Sequence, residues 1–386
     1  MSRARGGDGS GESPLKVALI YDMDACRGPT GVTRHALAQL AGLAGRPDIG
    51  LSVVSGRINE PDGLIYWDSL GPIPRRELPV RTRDALRAWR VAGWPPVDWW
   101  TGRVDWVYAP AEYGVPTRSA RLAVTSHDAL QDVTLGGPGR RATLAKVFAR
   151  ADRVLSVSRF NSDRLAELFP AETAGKVAYV PNGADDLFFE PSPPADRASI
   201  RADLGLPTGR PYLLSVANYQ PRKGLDRLVR AAGRLPEVAS GDLALVLIGD
   251  GDEAEARPIR AAIAGLGGKA LVRLPGYRRG KALRAAYAEA TALAFASTCE
   301  GFGIPAVEAM AQGTPVALAD STALPEVAGA AGWYFRPRDE ASIADALRDL
   351  LDRPTERARR ADLGRAIAEG YRWPASTDRL IVALRG

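Results

Sequence analysis

The sequence has little of the chemistry that metal centres, disulfide frameworks and membrane anchors require. Its 386 residues include two cysteines and two histidines, too few for a disulfide framework or a Cys/His metal site. No apolar run approaches the roughly 20 residues that a membrane-spanning helix needs. Residues 1–13 are rich in Gly, Ser and Arg and lack the apolar core of a signal peptide. We therefore expect a soluble, cytoplasmic protein with a disordered N-terminal tail at 1–13.

Lysine is also scarce, since it supplies six of the 51 basic residues. The basic residues outnumber 45 acidic ones and give a net charge of +6, which leaves a mild preference for anionic partners. An excess of arginine over lysine is typical of a GC-rich genome and implies no function by itself. The basic residues are spread along the chain without interleaved aromatics, so no nucleic-acid partner is predicted.

Several familiar catalytic patterns are missing. The first loop, Cys26-Arg-Gly-Pro-Thr-Gly31, is not G-x-G-x-x-G, and the acidic ribose ligand expected downstream is absent, which argues against an NAD oxidoreductase. There is no credible Ser/His/Asp triad. Asp22 and Asp24 match the DxD spacing of metal ligands in another class of nucleotide-sugar enzymes, but no histidine or further acid lies nearby. We therefore predict no metal and no other cofactor.

Hydrophobic segments alternate between strand and helix patterns along the chain. A β-rich run at 16–22 precedes a helical pattern at 32–40, and further strands are predicted at 104–108, 122–125, 153–157 and 177–180. After a proline-rich break at 191–194, a second series runs from 211 to 318. This alternation predicts two α/β domains with doubly wound parallel sheets, at 14–190 and 209–368, joined by a linker at 191–208.

Two adjacent cations precede the first helix of the second series. Arg222 and Lys223 stand just before Gly224, where a helix N-terminus is already electropositive, so the placement costs roughly 0.3–1 kcal/mol. A bound diphosphate would remove this conflict. Two solvated side chains are the alternative interpretation.

A more specific pattern runs from Cys299 to Val316. A strand enters a loop containing Gly301 and Gly303, and Pro305 favours a helix start there. Glu308 lies one turn inside that helix and leans back toward Glu300. Two carboxylates at one pocket suit vicinal sugar hydroxyls. A purely structural helix start is the alternative interpretation of this pattern.

The histidines and tryptophans are less diagnostic. His127 follows a strand at its carboxyl edge, whereas His35 is predicted on the solvated face of the first helix. The tryptophans between 83 and 106 admit two interpretations: packing beneath a long surface segment, or contact with an acceptor or membrane surface. The second would place the protein peripherally at the inner face of the membrane. The tryptophans of this segment are Trp89, Trp94, Trp99, Trp100 and Trp106.

The order and spacing of these motifs resemble family 4 of the retaining glycosyltransferases, which has the GT-B fold of two Rossmann-like domains facing a cleft. The resemblance covers nearly the whole chain, is strongest between Tyr212 and Phe335, and includes Ser126-His127-Asp128 in the first half. Its motifs are Arg222-Lys223-Gly, Gly249-Asp-Gly, Leu274-Pro-Gly-Tyr277, Glu300-Gly-Phe-Gly-Ile-Pro-Ala-Val-Glu308 and Ser321-Thr-Ala-Leu-Pro-Glu326.

The resemblance implies a role for each matching position. Arg222 and Lys223 would bind the donor diphosphate, Glu308 the ribose and Glu300 the transferred sugar. His127 would approach the C6 side of that sugar and the reaction centre. Residues 369–386 resemble the closing helix that returns to the N-terminal domain, and no essential thiol is expected at Cys299. The implied catalytic residues are His127, Arg222, Lys223 and Glu300. The implied donor-binding residues are Gly31, Gly249, Tyr277, Gly301, Phe302, Gly303, Ile304 and Glu308.

The implied activity is retaining, metal-independent transfer of a hexose from a nucleotide sugar to a hydroxyl of a saccharide or a lipid-linked saccharide. The Ser126-His127-Asp128 context and the Trp-rich segment resemble bacterial mannosyl- and rhamnosyltransferases of polysaccharide assembly. They favour GDP-mannose, with UDP-hexoses and dTDP-rhamnose next. A nucleotide-sugar 2-epimerase of the same fold and a non-catalytic nucleotide- or glycan-binding module stay open.

Overall fold

A computed structural model describes residues 13–21, 30–57 and 73–386. Asp22, Asp24, Cys26 and most of the N-terminal tail lie outside these residues. The strands are β1 (Leu15–Ile20), β2 (Ile49–Ser55), β3 (Arg75–Glu77), β4 (Trp106–Ala109), β5 (Arg121–Ser126), β6 (Arg153–Ser156), β7 (Val177–Tyr179), β8 (Tyr212–Val216), β9 (Ala244–Ile248), β10 (Val272–Gly276), β11 (Ala292–Phe295), β12 (Val316–Ala319) and β13 (Gly332–Phe335).

Helices connect most of these strands, and the longest, α4, bends at Gly137 (φ 66°). The helices are α1 (Gly31–Ala44), α2 (Thr82–Ala92), α3 (Asp98–Thr101), α4 (Ala129–Arg150), α5 (Arg159–Leu168), α6 (Pro170–Thr173), α7 (Pro194–Asp203), α8 (Leu225–Ala232), α9 (Pro236–Ala239), α10 (Glu253–Ala264), α11 (Gly280–Glu289), α12 (Ile304–Ala311), α13 (Leu324–Ala328), α14 (Glu340–Asp352), α15 (Pro354–Glu369) and α16 (Trp373–Arg385).

Two sheets organise these elements, as the alternating pattern predicted. Their strand orders are β3-β2-β1-β4-β5-β6-β7 and β10-β9-β8-β11-β12-β13. Every strand pair of the second sheet is parallel. Its order reverses between β8 and β11, and ligands of open parallel sheets bind beyond the carboxyl ends of strands at such a switch point. The loops at 217–224 and 296–303 follow these two strands.

The contacts divide the chain into two compact units. The first holds the described residues up to Thr125 together with 146–154 and 381–386, and the second holds 126–145 and 155–380. In the first unit the buried indole N–H of Trp106 on β4 donates to the carbonyl of Leu384 at 2.6 Å. Residues 381–386 are therefore part of the first unit.

Residues 191–208 were expected to be a linker, but they are not an irregular connection. Pro194 begins α7, because proline is tolerated in the first turn of a helix. Ile200 and Leu204 are buried, and Arg201 forms an ion pair with Glu289 on α11 at 2.8 Å. The segment thus packs as regular structure, while the position of the domain boundary stays a prediction.

His35 is buried in the first unit, which corrects its predicted solvated position. Its Nε2 lies 2.8 Å from the hydroxyl of Tyr108, which in turn lies 3.0 Å from Thr125 Oγ1. Burial raises the pKa of Tyr108, so the phenol stays protonated. The apolar spacing identified Ala36 and Leu40 on the buried face of α1, but that face is wider because polar His35 and Gln39 also lie on it.

The tryptophan segment fits neither interpretation throughout. Trp89 and Trp106 are buried, whereas Trp94 and Trp99 are 60% and 58% exposed and stack edge to face with ring centres 5.2 Å apart. The segment therefore supplies both core packing and an exposed aromatic surface. Within the described ranges, no helix combines the length and apolar character needed to cross a membrane.

We predict that His35→Ala lowers the free energy of unfolding by about 2–3 kcal/mol, because it opens a cavity and removes a buried hydrogen-bond partner of Tyr108. Urea denaturation measures this change. Ala41→Gln at an exposed position of the same helix is the control and should stay within about 0.5 kcal/mol of the parent. A loss as small as that of the control would mean that His35 is solvated after all.

Candidate active site

The loop after β8 carries the two cations predicted to bind a diphosphate. Pro221–Lys223 form one 3-10 turn, and Gly224 adopts φ 64° before α8 begins. Arg222 Nε donates to Gln220 Oε1 at 3.1 Å, and its Nη1 donates to the Cys299 carbonyl at 2.9 Å. The guanidinium is therefore oriented by this loop and by the loop after β11.

The loop after β11 is held just as firmly. The backbone N–H of Thr298 donates to the Arg222 carbonyl at 2.8 Å, and Ser297 Oγ donates to the Cys299 carbonyl at 3.1 Å. The N–H of Glu300 donates to Thr322 Oγ1 at 3.0 Å. Thr322 has φ 54°, an uncommon conformation for a residue with a branched side chain. Such strain is characteristic of functional sites, and here it places the hydroxyl that fixes Glu300.

Glu300, Lys223 and Arg222 form one ion cluster at the switch point of the second sheet. Glu300 Oε1 lies 2.5 Å from Lys223 Nζ and 3.3 Å from Arg222 Nη1. The side chains of Glu300 and Lys223 are each 11% exposed and that of Arg222 is 21% exposed. Three of the four residues predicted to be catalytic therefore meet through direct contacts.

The protonation tendencies follow from burial and from this pairing. Burial alone would raise the pKa of Glu300, but Lys223 and Arg222 outweigh it and the pKa is lowered. The pKa of Lys223 is lowered, mainly because burial disfavours its charge, although Glu300 opposes this effect. The three side chains in contact are thus one anion and two cations, so a bound anionic group would meet two positive charges.

The fourth predicted catalytic residue, His127, is brought to the same loop by its backbone. A Cβ atom on Gly301 would lie 1.7 Å from the His127 carbonyl oxygen, so only glycine permits this approach. His127 belongs to the second unit, directly after β5. The His127 segment and the Glu300 loop therefore pack in direct contact.

Glu308 is anchored separately, by the helix predicted at 305–312. The helix begins at Ile304, so Pro305 takes its second position. Glu308 is 1% exposed, and its Oε2 accepts a hydrogen bond from the hydroxyl of Tyr287 at 2.9 Å. A buried carboxylate fixed in this way is rigid. Its predicted ribose contact stays a prediction.

The other predicted donor-binding residues lie on several loops. Gly249 directly follows β9, and a Cβ atom there would lie 1.8 Å from the Ala217 carbonyl oxygen. Only glycine therefore permits the close approach of the backbone after β8 to the backbone after β9. Tyr277 follows β10 and is 47% exposed. Gly31 begins α1 in the first unit. Phe302 and Ile304 are buried, and Gly303 caps α12 with φ 107°.

Glu326, the last residue of the Ser321–Glu326 motif, caps a helix. Its two carboxylate oxygens accept the N–H groups of Arg159 and Phe160 at 2.8 and 2.9 Å. An acidic side chain at a helix N-terminus is stabilising, so this residue supports the start of α5.

Three residues of this site were missed at the sequence level. Ser297 and Thr322 fix the Glu300 loop, and Tyr287 fixes Glu308. A buried tyrosine signals that its hydroxyl needs a partner, but the sequence does not say which one. Thr322 belongs to the Ser321–Glu326 motif, but nothing in the sequence of that motif predicts its positive φ.

This arrangement can bind an activated, anionic substrate. Two oriented cations can neutralise a phosphate group as negative charge develops on it, and Glu300 can accept hydrogen bonds from hydroxyl groups. Over residues 13–21, 30–57 and 73–386 no group of three His, Cys, Asp or Glu side chains is placed to hold a metal ion.

Comparison with known proteins agrees with this chemistry. The family described as glycosyl transferases group 1 matches residues 196–367. A D-inositol 3-phosphate glycosyltransferase of Nocardia farcinica is 35% identical over 297 residues, 73% of this chain and 64% of that protein. One of Streptomyces avermitilis is 30% identical over 394 residues, 95% of this chain and 81% of that protein.

A solved structure extends the comparison to the fold. The structure of Anabaena HepE in complex with UDP-glucose has a TM-score of 0.75 at 17% identity and covers 96% of this chain and 99% of its own. The GT-B fold predicted from the motifs is thus confirmed. The family match over residues 196–367 and the Streptomyces avermitilis relative, of which this chain covers 81% at 30% identity, show that the chain belongs to the group 1 glycosyl transferases.

Proposed function

We propose that the protein transfers a hexose from a nucleoside diphosphate sugar to a hydroxyl group, with retention at the anomeric carbon and without a metal. The observation that carries the proposal is the cluster of Lys223, Arg222 and Glu300 at the switch point of the second sheet. Its two cations suit a diphosphate, and its carboxylate suits sugar hydroxyls.

Binding of the donor would exchange partners within this cluster. The diphosphate would take the two cations from Glu300, and the carboxylate would turn to the hydroxyls of the transferred sugar. Because the loops already fix Arg222 and the backbone of Glu300, little reorganisation is needed once the donor is bound. The backbone N–H groups of Phe302, Gly303 and Ile304 complete the proposed contacts with that sugar.

The reaction exchanges one bond for another at the anomeric carbon. The bond from that carbon to the β-phosphate oxygen breaks, and a bond to the acceptor oxygen forms on the same face. The acceptor proton passes to the departing phosphate, so no nucleophile of the protein is needed. Arg222 and Lys223 would stabilise the charge that develops on the leaving group, and His127 would border the reaction centre.

Two donors have support. The Ser126-His127-Asp128 context favours GDP-mannose, whereas the UDP-glucose complex of HepE favours a UDP-hexose. The named relatives act on D-inositol 3-phosphate, which supports a small polyol or saccharide hydroxyl as acceptor. A cytoplasmic location is part of the same proposal, consistent with the free thiol of Cys299.

We predict opposite effects from the two sides of the ion cluster. Lys223→Ala should weaken UDP or GDP binding at least about tenfold, because a charge-assisted contact is lost. Glu300→Gln should bind the nucleotide at least as tightly as the parent, since it removes the competing anion, yet should lose sugar transfer. Isothermal titration calorimetry and product assays measure both effects.

The control is Arg230→Ala on α8, which removes an exposed ion pair with Glu340 on α14 and should leave both readouts unchanged. Unchanged transfer in Glu300→Gln, or unchanged nucleotide binding in Lys223→Ala, would refute these assignments.

We predict that one nucleotide sugar of a panel of GDP-mannose, UDP-hexoses and dTDP-rhamnose raises the thermal midpoint by several degrees. At about 100 times Kd, binding adds about 2.7 kcal/mol. With an acceptor, NMR should show the anomeric configuration of the donor in the product, and EDTA should not slow the reaction. Release of a new sugar without acceptor would favour the epimerase, and binding without turnover would favour the binding module.

We further propose that the exposed aromatic surface of Trp94 and Trp99, together with the exposed side chain of Val91, contacts an anionic membrane. Val91, near the end of α2, is 89% exposed, and the two indole rings lie edge to face with each other. The N–H groups of residues 118–120 donate to the carboxylate of Asp98, which keeps its negative charge. The segment 81–105 is nevertheless basic, because its arginines outnumber Asp84, Asp98 and Asp105. These arginines, all exposed, are Arg81, Arg83, Arg87, Arg90 and Arg103. Indole rings with basic neighbours are typical of helices that lie in a membrane interface.

We predict that Trp94→Ala/Trp99→Ala lowers binding to phosphatidylglycerol vesicles at least about tenfold, because burying even ~60 Å² of apolar surface contributes about 1.5 kcal/mol. Vesicle co-sedimentation measures the loss. Val382→Ala, at an apolar side chain that is 71% exposed elsewhere, is the control. Equal binding to uncharged phosphatidylcholine vesicles, or full binding by the double variant, would contradict this role.

A further inference from the structure

Asp128 joins two segments of the second unit that carry predicted catalytic residues. Its Oδ1 accepts the N–H of Gln131 at 3.0 Å and so caps the start of α4. Its two carboxylate oxygens also lie 3.7 and 3.5 Å from the sulfur of Cys299. One carboxylate therefore holds both its own helix and the residue that precedes Glu300.

The backbone reinforces this connection from the other side. The position of Gly301 leaves no room for a side chain against the His127 carbonyl, and a Cβ atom there would also lie 3.2 Å from the Cβ of Asp128. The pairs His127–Asp128 and Cys299–Glu300 are thus held at a fixed spacing. A shift of one segment would change the distance between His127 and Glu300.

The charges around Asp128 suit a hydrogen bond from a thiol. Glu300 repels the carboxylate, and Arg222 attracts it, as does Lys223. Burial first, and then the carboxylates of Asp128 and Glu300, raise the pKa of Cys299 to about 12. The thiol therefore keeps its proton and donates it, whereas a thiolate would be repelled.

We propose that Asp128 is a positioning residue for sugar transfer: through the Cys299 thiol it holds the Glu300 loop in register with His127. The inference rests on the proposed function. In this inference Cys299 is the hydrogen-bond donor to Asp128, a role that the resemblance to the family did not imply. Thr322 holds the backbone of the same loop, so side chain and backbone are fixed by different partners.

The restraint should depend on pH. Burial first, and the Glu300 charge as well, raise the pKa of Asp128 to about 6. As pH rises through 6 the carboxyl loses its proton and becomes a charged, stronger acceptor for the thiol, so turnover should increase with pH across this range. The charged or titratable groups that face it are Glu300, Arg222, Lys223 and Cys299, with His127 adjacent in the chain.

The test compares Asp128→Ala, Cys299→Ala and their combination. Each single variant should lower kcat by about 10–100-fold, as expected for a lost hydrogen bond to a charged group, while nucleotide affinity stays within about threefold. The double variant should be no slower than the slower single variant, because both remove the same contact. Cys299→Ser should restore most of the loss, and Asp128→Asn should remove the acid limb near pH 6.

A readout without catalysis separates this inference from the proposed function. Alkylation of Cys299 by iodoacetamide, followed by peptide mass spectrometry, should be at least about fivefold faster in Asp128→Ala, because the thiol loses its acceptor and its pKa falls. Asp132→Asn, in the first turn of the same helix and paired with Arg140, is the control and should change neither rate.

The outcomes point to different failures. Unchanged alkylation, or multiplicative losses of kcat in the double variant, would overturn the Asp128–Cys299 restraint. Faster alkylation without sugar transfer by the parent protein would keep the restraint and reject the proposed function. A loss of nucleotide affinity as large as the loss of kcat would assign Asp128 to donor binding and overturn the positioning role.

Discussion

The candidate site depends on an ion pair that is costly to bury. Taking Lys223 and Glu300 out of water carries a desolvation penalty that their attraction only partly repays. The fold nevertheless surrounds them with fixed partners: Ser297 on the loop after β11, Thr322 on the loop after β12 and Gln220 on the loop after β8. Such a cluster contributes little net stability and much preorganisation, which is what a binding site for a charged substrate requires.

The strand order of the second sheet determines where the cluster of Lys223, Arg222 and Glu300 forms. Its switch point places the loops after β8 and β11 side by side, and every contact of the ion cluster depends on that adjacency. Arg222 and Cys299 are distant in sequence, yet the guanidinium of one donates to the carbonyl of the other. The topology, rather than a local motif, brings the charges together.

Much of this arrangement is predictable because it follows local rules. Alternating strand and helix patterns predict both sheets, and the glycines at 301 and 303 mark the loop whose close approach needs them. Charge and position predict Arg222 with Lys223 as one pair and Glu300 with Glu308 as another, and the resemblance assigns both pairs to one donor. The structure brings Arg222, Lys223 and Glu300 into contact.

Tertiary partners decide the features that the sequence misses. His35 lies on a polar-looking face of α1, but Tyr108 from β4 offers it a buried partner. The proline at 194 resembles a break until α7 is seen packing against α11 through Arg201. Thr322 and Tyr287 act through partners 22 and 21 residues away, and no pattern of neighbouring residues encodes such pairings.

The bond between Trp106 and Leu384 also sets an order for assembly during synthesis. The indole N–H lies inside the first unit, yet its acceptor is made 278 residues later. Domains usually fold from the N-terminus as the ribosome extends the chain. The first unit is therefore without this hydrogen bond until residue 384 has been synthesised, although its strands are made much earlier.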